Sequence, residues 1–524
     1  MKLRVVKLRL ARIAAVVAVV TAGCAAPEPT ASARFVVDAG GRLVLTPAQL
    51  LAATGGSTPV GFGKPAHGRL DYGPRGAMLY TPDAGFTGTD SVVVTTTTAV
   101  QLYAVDSPPI ATVGGIEVQD GSGSAIAYVP GTTDRVYGLT DRGPYADGRA
   151  EGEKVIPVSD FNPHITEFQL GEGTAVPRRT IGLADTKGRP MNGLINSANP
   201  TRETTVALDG TALAPSDHGL DPEGMVAVPD GTFWVSDEYG PFLTHFDGSG
   251  RQIERLSPLD ASLPRELALR SPNQGLEGLT ITPDGSTLVA IMQSALNTPG
   301  LDGSAKKVPF TRIVTVNLAD KRVAEYVYPL ANPRKSGVAV SEITAISATT
   351  FLVDERDGKF EPGADKKIYV ADISNATDIG PNSQVPGATY RGADGGLLID
   401  AKPLESLIGV ASDSDAGDVL ARVGIRPAGK TLKLDLAGLL TELNSAGMFF
   451  GHDRIEGMAT PDGGSTIVLS NDSDFGLLGL GTAPQTLEPK TLPNGRQDSE
   501  EFLVVDTTKL PPRTETRTIS VQVG

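Results

Sequence analysis

A short pattern recurs along this chain and constrains its fold: a glutamate, an apolar strand, a tight turn, a second strand, and then an acidic or amide residue. In its clearest copy, six positions separate Glu223 from Pro229 and six separate Gly231 from Asp237. Because a hairpin with equal arms returns to its starting point, Glu223 should face Asp237 and Glu238 across the open end. Several such hairpins around one axis would gather a ring of oxygen ligands.

Further copies run over residues 277–293, 342–355 and 456–472, and a weaker one over 117–142. Two of the spacings between the glutamates, 54 and 65 residues, fit one four-stranded propeller blade with its loops. The two longer spacings, 106 and 114 residues, each hide a missing blade or a large insertion. Frequent turn residues and many Val/Thr-rich runs favour an all-β protein. We therefore predict a β-propeller of about six blades over residues 103–524, with five or seven left open.

Residues 1–24 have the features of a secretory signal, since five basic residues precede an apolar run that is too short to span a bilayer. Cys24, the only cysteine, lies in a segment that resembles a bacterial lipobox, with Thr21 where that motif usually has leucine. Lipidation at Cys24 would anchor the chain to the cell envelope. Cleavage after Ala33, behind an A-x-A pattern, would instead release it. Both alternatives predict an extracytoplasmic protein with residues 25–33 as a linker.

Residues 34–100 are predicted to form a small β unit. The segment 80–91 reads YTPDAGFTGTDS and resembles bacterial immunoglobulin-like or cadherin-like modules, whose pattern is Y-x-P-x-x-G-F-x-G-x-D-S. The resemblance implies a small immunoglobulin-like β-sandwich with Tyr80 and Phe86 in its core, which we interpret as a spacer. At the other end of the chain, residues 518–523 alternate polar and apolar side chains, and are expected to close the ring or to pair at a sheet edge.

The charge of the mature chain excludes one class of partner. Without the basic residues of the signal, 41 Lys and Arg stand against 61 Asp and Glu, a net charge of −20. A strongly acidic surface repels phosphate backbones, so nucleic acid is not an expected partner. The same charge is compatible with solubility outside the cell and with binding of divalent cations.

Three segments carry a resemblance to a known family: DPEG at 221–224, SDEYGP at 236–241 and NQGLEGL at 273–279. They resemble the bacterial family named for esterase-like activity of phytase, and TDRGP at 140–144 fits its opening segment. The similarity extends over roughly residues 105–510. It implies a β-propeller hydrolase, with no residue-level mechanism to transfer.

The ends of the repeated hairpins supply a cluster of carboxylate, amide and guanidinium groups. Hard oxygen ligands without thiolate or imidazole suit Ca²⁺ better than Zn²⁺. So many like charges would repel one another unless a cation or an arginine lay among them. The alternative is a set of salt bridges that stabilise contacts between blades without a metal. The cluster comprises Asp141, Arg142, Glu223, Asp237, Glu238, Glu277, Gln293, Glu342, Asp354, Glu355, Arg356, Glu456, Asn471 and Asp472.

We assign predicted roles within this cluster. Arg142 and Arg356 stand at hairpin ends where other copies carry Glu, Gln or Asp, and would bind an anionic substrate such as a phosphate ester. The predicted Ca²⁺ ligands are Glu223, Glu277, Glu342, Glu456, Asp354, Glu355, Asn471 and Asp472. The predicted catalytic residues are Glu223, Glu277, Asp237, Glu238 and His218.

Other catalytic chemistry finds little support in the sequence. The chain has no G-x-S-x-G motif, so a serine hydrolase of that type is not expected. His164, His218 and His452 lie in or near loops between the hairpins; each is a candidate general base, although a lone loop histidine is more often solvated.

Two functions from different classes follow. The first is a Ca²⁺-dependent hydrolase of ester, phosphoester or lactone bonds acting on a small molecule outside the cytoplasm. The second is a non-catalytic surface propeller that binds a protein or a glycan, with the N-terminal module as its stalk.

Overall fold

The computed structural model describes residues 33–331, 333–480 and 486–524. The predicted signal sequence, Cys24 and the linker up to residue 32 lie outside the described residues. Within the described ranges, no helix combines the length and the apolar character needed to cross a membrane.

The described part of the chain forms an all-β propeller with five blades, each of four antiparallel strands. The innermost strands of successive blades contact one another, and those of the first and last blades also touch, so the ring is closed. From the axis outwards the strands are blade 1 (Ala125–Tyr128, Arg135–Leu139, His164–Gly171, Thr174–Gly182), blade 2 (Pro222–Ala227, Phe233–Asp237, Leu243–Phe246, Gln252–Leu256), blade 3 (Leu276–Ile281, Thr287–Met292, Phe310–Asn317, Val323–Pro329), blade 4 (Ala339–Ala345, Thr350–Arg356, Lys366–Asp372, Gly429–Asp435) and blade 5 (Ile455–Ala459, Thr466–Asn471, Glu501–Asp506, Val100–Val105).

The packing between blades explains the apolar runs that flank the repeated turns. The second strands are covered on both faces by neighbouring blades, so Phe233–Asp237 and most of Thr287–Met292 are buried throughout. Between blades 2 and 3, for example, Trp234 packs with Leu279 and Leu288 in one apolar cluster. The continuous apolar runs of the repeats are therefore explained by contact with a neighbouring blade on each face of the strand.

The all-β propeller prediction is confirmed, and the described residues contain five blades, a number that the sequence had left open beside the favoured six. The long sequence intervals hold insertions instead of a further blade. One four-stranded sheet takes two strands from an insertion between the second and third strands of blade 1 and two from the segment between blades 1 and 2. A mixed segment interrupts blade 4 between its third and fourth strands. The inserted elements are Ala146–Asp147, Glu153–Ile156, Thr204–Ala207 and Ala212–Leu213 in the first case, and Thr389–Arg391, Gly396–Ile399, Lys402–Pro403, Leu404–Ile408 and Asp413–Arg422 in the second.

Three insertions pack together beside blades 1 and 5, and we call them the cap. They are the sheet that begins with Ala146–Asp147, the hairpin of Ala111–Val113 and Ile116–Val118, and the hairpin of Leu477–Leu480 and Leu487–Pro489. Buried Val118, Ala146, Phe161, Phe475, Leu477 and Leu487 form their common core. The propeller region also contains the helices Pro333–Ser336 and Leu436–Leu443.

The two ends of the chain meet in the N-terminal unit. The long strand Thr514–Val523 pairs along its whole length with Gly88–Thr97, and also in parallel with Arg34–Val37. The tail was expected to close the ring or to pair at a sheet edge, but it lies inside a sheet with a partner strand on each side, and Val100–Val105 closes the ring in blade 5.

The N-terminal unit has two small sheets. The first adds Thr58–Phe62 to the strands just named; the second contains Leu43–Leu45, Met78–Pro82 and Gly68–Tyr72, and helix Pro47–Ala53 lies beside them. Tyr80 is fully buried, as expected of a core residue, whereas Phe86 is half-buried and stacks on His67. The assignment to the immunoglobulin-like family and the division into domains stay predictions.

Candidate functional site

The repeated glutamates stand at irregularities in the innermost strands. The register between the first two strands shifts between Leu276 and Gly278 in blade 3, and shifts at the same point in blades 2 and 5. Such a bulge re-aims the side chain of the extra residue. In blades 2, 3 and 5 the residue at this point is Glu223, Glu277 or Glu456, and the sequence pattern located all three.

The glycine after each glutamate has a steric cause. A Cβ atom on Gly224 would lie 2.5 Å from the backbone nitrogen of Leu279, and one on Gly278 would lie 2.5 Å from that of Ile343. Adjacent innermost strands therefore approach too closely for any side chain at this position. In the Glu-Gly pair of the repeat, the glycine allows the strands of neighbouring blades to approach closely. The carboxylate of the glutamate consequently lies beside the next blade.

Blade 4 departs from this arrangement. Its register shift falls between Val340 and Glu342, so Ser341 takes the bulge position and Glu342 takes the glycine position. Glu342 Oε1 accepts hydrogen bonds from the backbone N–H groups of Leu279 and Ile343, both at 2.9 Å. Burial raises the pKa of Glu342 well above its usual value, and these two bonds oppose the rise. Its carboxylate is thus held between blades 3 and 4.

Blade 1 lacks the repeated glutamate. The weaker copy that started at Glu117 was wrong in its first half, because Glu117 is exposed on the hairpin strand Ile116–Val118. The chain instead reads Ser122-Gly123-Ser124 before the innermost strand. The second half of that copy, Asp141 and Arg142, does lie at the end of the second strand of blade 1.

Three buried carboxylates come together where blades 1 and 2 meet. Asp141, Asp221 and Glu223 each offer an oxygen atom, and these atoms all lie within 4.8 Å of one another. Their exposed fractions are 7%, 1% and 9%. We call these three residues the carboxylate triad. Such a spacing of hard oxygen atoms is compatible with a bound cation.

The triad is electrostatically strained. Burial raises the pKa of Glu223 well above its usual value, and the charges of Asp221 and Glu277 raise it further. Burial and the charges of Asp472 and Asp221 likewise raise the pKa of Asp141, although the Gly143 N–H donates to Asp141 Oδ1 at 2.7 Å. A cation between these groups would relieve both effects.

Asp221 contacts both the backbone and the side chain of Arg142. Its Oδ1 accepts a hydrogen bond from the Arg142 backbone N–H at 3.2 Å, and its Oδ2 lies 3.7 Å from Arg142 Nη1. Among the described residues, Oδ2 has no hydrogen-bond donor. The guanidinium carbon of Arg142 also lies 4.2 Å from the centre of the Tyr145 ring, directly before the cap strand Ala146–Asp147. The cap therefore borders the triad.

Glu238 and Glu277 lie next to the triad. The Gly275 N–H donates to Glu238 Oε1 at 2.7 Å, and Gln293 Nε2 donates to Glu277 Oε1 at 2.5 Å. The second oxygen of each carboxylate, Oε2, has no donor among the described residues. Burial, followed by the charge of Asp221, raises the pKa of Glu238 to about 8. Burial, followed by the charge of Glu238, also raises the pKa of Glu277 well above its usual value. Both carboxyl groups are therefore able to hold a proton at neutral pH.

Arginines border the far side of the acidic cluster. Arg356 pairs with Glu456 and donates from Nε to Ser341 Oγ at 3.0 Å. Arg454 pairs with Asp472 at 3.3 Å and with Asp474 at 2.8 Å. Burial and the charge of Asp474 raise the pKa of Asp472 to about 8. The cluster is thus ion-paired beside blades 4 and 5, whereas beside blades 1 and 2 Arg142 faces an excess of carboxylates.

Two predicted site residues, Asp237 and Asn471, use their side chains to bind backbone groups. Both oxygens of Asp237 accept backbone N–H groups, from Asp221 and Gly240, and burial raises its pKa to about 6. Asn471 Oδ1 accepts the Glu501 N–H at 2.7 Å. These side chains organise the loops of blades 2 and 5.

Glu355 and His218 contact groups outside the triad, whereas Asp354 lies near Arg356 and Glu456, whose charges act on its carboxyl group. Glu355 accepts a hydrogen bond from the Tyr328 hydroxyl at 2.6 Å and pairs with Lys430. Asp354 is fully buried within blade 4, and His218 Nδ1 lies 3.8 Å from Asp185 in a separate loop. No geometric relation between His218 and the triad emerges from these contacts.

Reasoning from the sequence missed Asp221 and Arg454 as members of the site. Each lies two residues before a repeated glutamate, so the position that precedes the innermost strand was the available signal. The sequence did not predict the surroundings of His452. Its ring is fully buried, with Nδ1 at 2.8 Å from Asp498 and Nε2 at 3.1 Å from Glu501. It is not a solvated loop residue.

Comparison with known proteins gives a family. An uncharacterized secreted protein from Arthroderma benhamiae is 33% identical over 230 residues, which is 34% of this chain and 44% of that protein. The chain thus spans less than half the length of this curated relative. Among solved structures, a calcium-binding regucalcin from Agrobacterium tumefaciens is 8% identical with a TM-score of 0.29, over 74% of this chain and 92% of that chain.

A periplasmic gluconolactonase from Pseudomonas aeruginosa is 11% identical with a TM-score of 0.27, over 88% of this chain and 99% of that chain. Residues 119–475 match a family profile, which covers more than half of the chain. By this match, the chain belongs to the phytase-like family described as esterase-like activity of phytase.

Proposed function

We propose that this protein is an extracytoplasmic hydrolase of ester, phosphoester or lactone bonds, with Ca²⁺ bound at the carboxylate triad. The observation that carries the proposal is the convergence of Asp141, Asp221 and Glu223, all buried, with one Asp221 oxygen lacking a donor. Buried carboxylates of like charge destabilise one another unless a cation or protons compensate them. Family membership supports the hydrolase class.

The donor set fits the proposed ion. Carboxylate oxygens alone, without sulfur or imidazole, are the ligands that Ca²⁺ prefers. Asp221 Oδ2 has no hydrogen-bond donor among the described residues, and an oxygen of Glu223 lies within 4.8 Å of one from Asp221. When bound, the ion would polarise a carbonyl or phosphoryl oxygen and so assist attack by water.

The remaining side chains would position a substrate and move protons. Glu277 and Glu238 each keep one oxygen without a donor, and both have raised pKa values, so they are suited to general acid and base roles. Arg142 would bind an anionic group, since its Nη2 is buried and has no acceptor among the described residues. Arg356 would serve the same purpose from blade 4.

The location rests on two observations. The N-terminal segment has the features of a secretory signal, and the relative from Arthroderma benhamiae is described as secreted. A lipid anchor at Cys24 stays part of the proposal. Its test is the mass of the mature N-terminus, in which a diacylated Cys24 supports anchoring and an N-terminus at residue 34 contradicts it.

A substrate panel with and without Ca²⁺ tests the activity. Aryl esters, aryl phosphates, phytate and lactones should include at least one substrate whose turnover falls in EDTA and returns with Ca²⁺. Glu277→Gln should lower kcat for that substrate by about 10²-fold or more. The matched control Glu254→Gln changes a surface partner of Lys321 and should leave turnover unchanged. No turnover on the whole panel would instead favour a non-catalytic propeller that binds a protein or glycan.

A further inference from the structure

A second buried charge cluster lies far from the triad in the fold, on the outer side of blade 3. Arg312 and Glu325 belong to the third and fourth strands of that blade, and Glu266 lies in the turn that precedes it. Glu405 comes from the insertion in blade 4. All four side chains have an exposed fraction of 0%. We call these four residues the Arg312 cluster.

One guanidinium group faces three carboxyl groups in this cluster. Arg312 binds Glu405 through two hydrogen bonds, Nε to Oε1 at 2.9 Å and Nη2 to Oε2 at 3.0 Å. Its Nη1 donates to Glu325 Oε2 at 2.6 Å and lies 3.7 Å from Glu266 Oε1. If all groups were ionised, two negative charges would be left uncompensated in a site without water access, which is strongly unfavourable.

The hydrogen bonds locate the imbalance. Glu266 Oε2 accepts the Tyr390 hydroxyl at 2.8 Å, and both oxygens of Glu405 are bound to Arg312. In contrast, Oε1 of Glu266 and Oε1 of Glu325 have no donor among the described residues. Both carboxyl groups approach the same nitrogen, Arg312 Nη1, with Glu325 Oε2 at 2.6 Å and Glu266 Oε1 at 3.7 Å. Buried carboxyl oxygens without a donor, crowded around one guanidinium group, lack a proton.

We propose that Glu325 holds a proton at neutral pH, and that this proton fastens the blade 4 insertion to blade 3. The proton removes one of the buried negative charges around Arg312 and makes Glu325 a hydrogen-bond donor. Burial, followed by the charge of Glu266, raises the pKa of Glu325, in agreement with this arrangement.

The other groups that pack against the pair are accounted for. Arg312 and Glu405 form a balanced ion pair, and Tyr390 donates its proton to Glu266. Asp378 approaches only the backbone, where it accepts the N–H groups of Glu325 and Gly380. None of these groups supplies a second donor for the free oxygens.

The insertion depends on this contact because its backbone closes over the pair. A Cβ atom on Gly396 would lie 2.5 Å from Glu266 Oε1 and 3.2 Å from Arg312 Nη1. Gly396, Tyr390 and Glu405 all belong to the insertion, while Glu266, Arg312 and Glu325 do not. Loss of the proton would place two carboxylates against this backbone and loosen the insertion.

The substitution Glu325→Gln tests the proposal, because the glutamine amide can donate to Glu266 without titrating. A group with a raised pKa in the folded protein stabilises it at low pH, and this contribution disappears as the pH rises through the folded pKa. The melting temperature of the wild type should therefore fall more steeply with rising pH than that of Glu325→Gln. Protection factors for hydrogen exchange in residues 389–422, which are corrected for the intrinsic pH dependence of exchange, should fall at high pH in the wild type but not in Glu325→Gln. The control Glu254→Gln should behave as the wild type does.

A direct measurement does not depend on the variant folding. Infrared spectra of wild-type protein with ¹³C-labelled glutamate should show a protonated, buried carboxylic acid at neutral pH. Because Glu238 and Glu277 also have raised pKa values, the expected result is one component of this band that is present in the wild type and lost from Glu325→Gln. Parallel pH profiles for the wild type and Glu325→Gln, or no protonated carboxylic acid at neutral pH, would overturn the proposal. So would a bound metal ion that the Glu325→Gln substitution removes.

Discussion

Replacing Asp354 by asparagine should stabilise the protein increasingly as the pH rises. Asp354 is fully buried in the second strand of blade 4, and neither of its oxygens has a hydrogen-bond donor among the described residues. Burial is the main cause of its raised pKa, about 8, and the nearby charge of Arg356 opposes the rise. The folded protein therefore keeps Asp354 protonated at neutral pH, whereas the unfolded chain ionises it.

The magnitude follows from the difference in pKa. The folded value of about 8 exceeds the ordinary value of 3.8, and each pH unit between them lowers the free energy of unfolding by about 1.4 kcal/mol. At pH 7 the accumulated cost is about 4 kcal/mol. Asparagine does not titrate, so Asp354→Asn avoids this cost.

Denaturant unfolding at several pH values between 4 and 8 measures the effect. The difference in free energy of unfolding, variant minus wild type, should grow with pH at close to the slope given above. Asp372→Asn is a matched control in the next strand of the same blade, since its exposed carboxylate has a lowered pKa and should give no such gain. A difference that stays constant, or that turns against the variant as the pH rises, would refute the reasoning and indicate an ionised Asp354.

Two other predictions concern the packing of the fold. Gly224→Ala should destabilise the protein by about 2 kcal/mol or more, because the added methyl group collides with the backbone nitrogen of Leu279. The control Gly417→Ala, at an open position of helix Asp413–Arg422, should be neutral or stabilising by about 0.5–1 kcal/mol. Both changes are measured by denaturant unfolding, and equal effects would contradict the packing argument. Deleting Thr514–Val523 should expose the N-terminal unit to limited proteolysis while the propeller resists, because this strand lies inside its sheet; unchanged resistance of both units would contradict this.

The local parts of the fold could be predicted from the sequence, because equal arms, turn residues and apolar alternation act within one hairpin. Glu223, Glu277 and Glu456 therefore took the positions that the repeat predicted. The difference in blade 4 could not be predicted, since Ser341 and Glu342 exchange roles through a shift of one residue that leaves the local pattern unchanged.

Long-range pairing was the other limit. The contact between Thr514–Val523 and Gly88–Thr97 joins segments more than 400 residues apart, and no local pattern specifies it. The blade number stayed open between five and seven for a related reason, because spacing alone does not distinguish a further blade from the inserted cap sheet. Asp221 was missed because it lies in a loop outside the repeated hairpin, where only the folded ring brings it to Asp141.

Calcium binding to the carboxylate triad tests the central proposal most directly. Isothermal titration of metal-free protein with Ca²⁺ should show a binding event that disappears in Asp221→Asn. Asp230→Asn, in an exposed turn of the same blade, should retain it. Binding should also raise the melting temperature, since a ligand at 100 times its Kd adds about 2.7 kcal/mol to the free energy of unfolding. Wild-type protein that binds no Ca²⁺, or an Asp221→Asn variant that binds it equally well, would contradict the account.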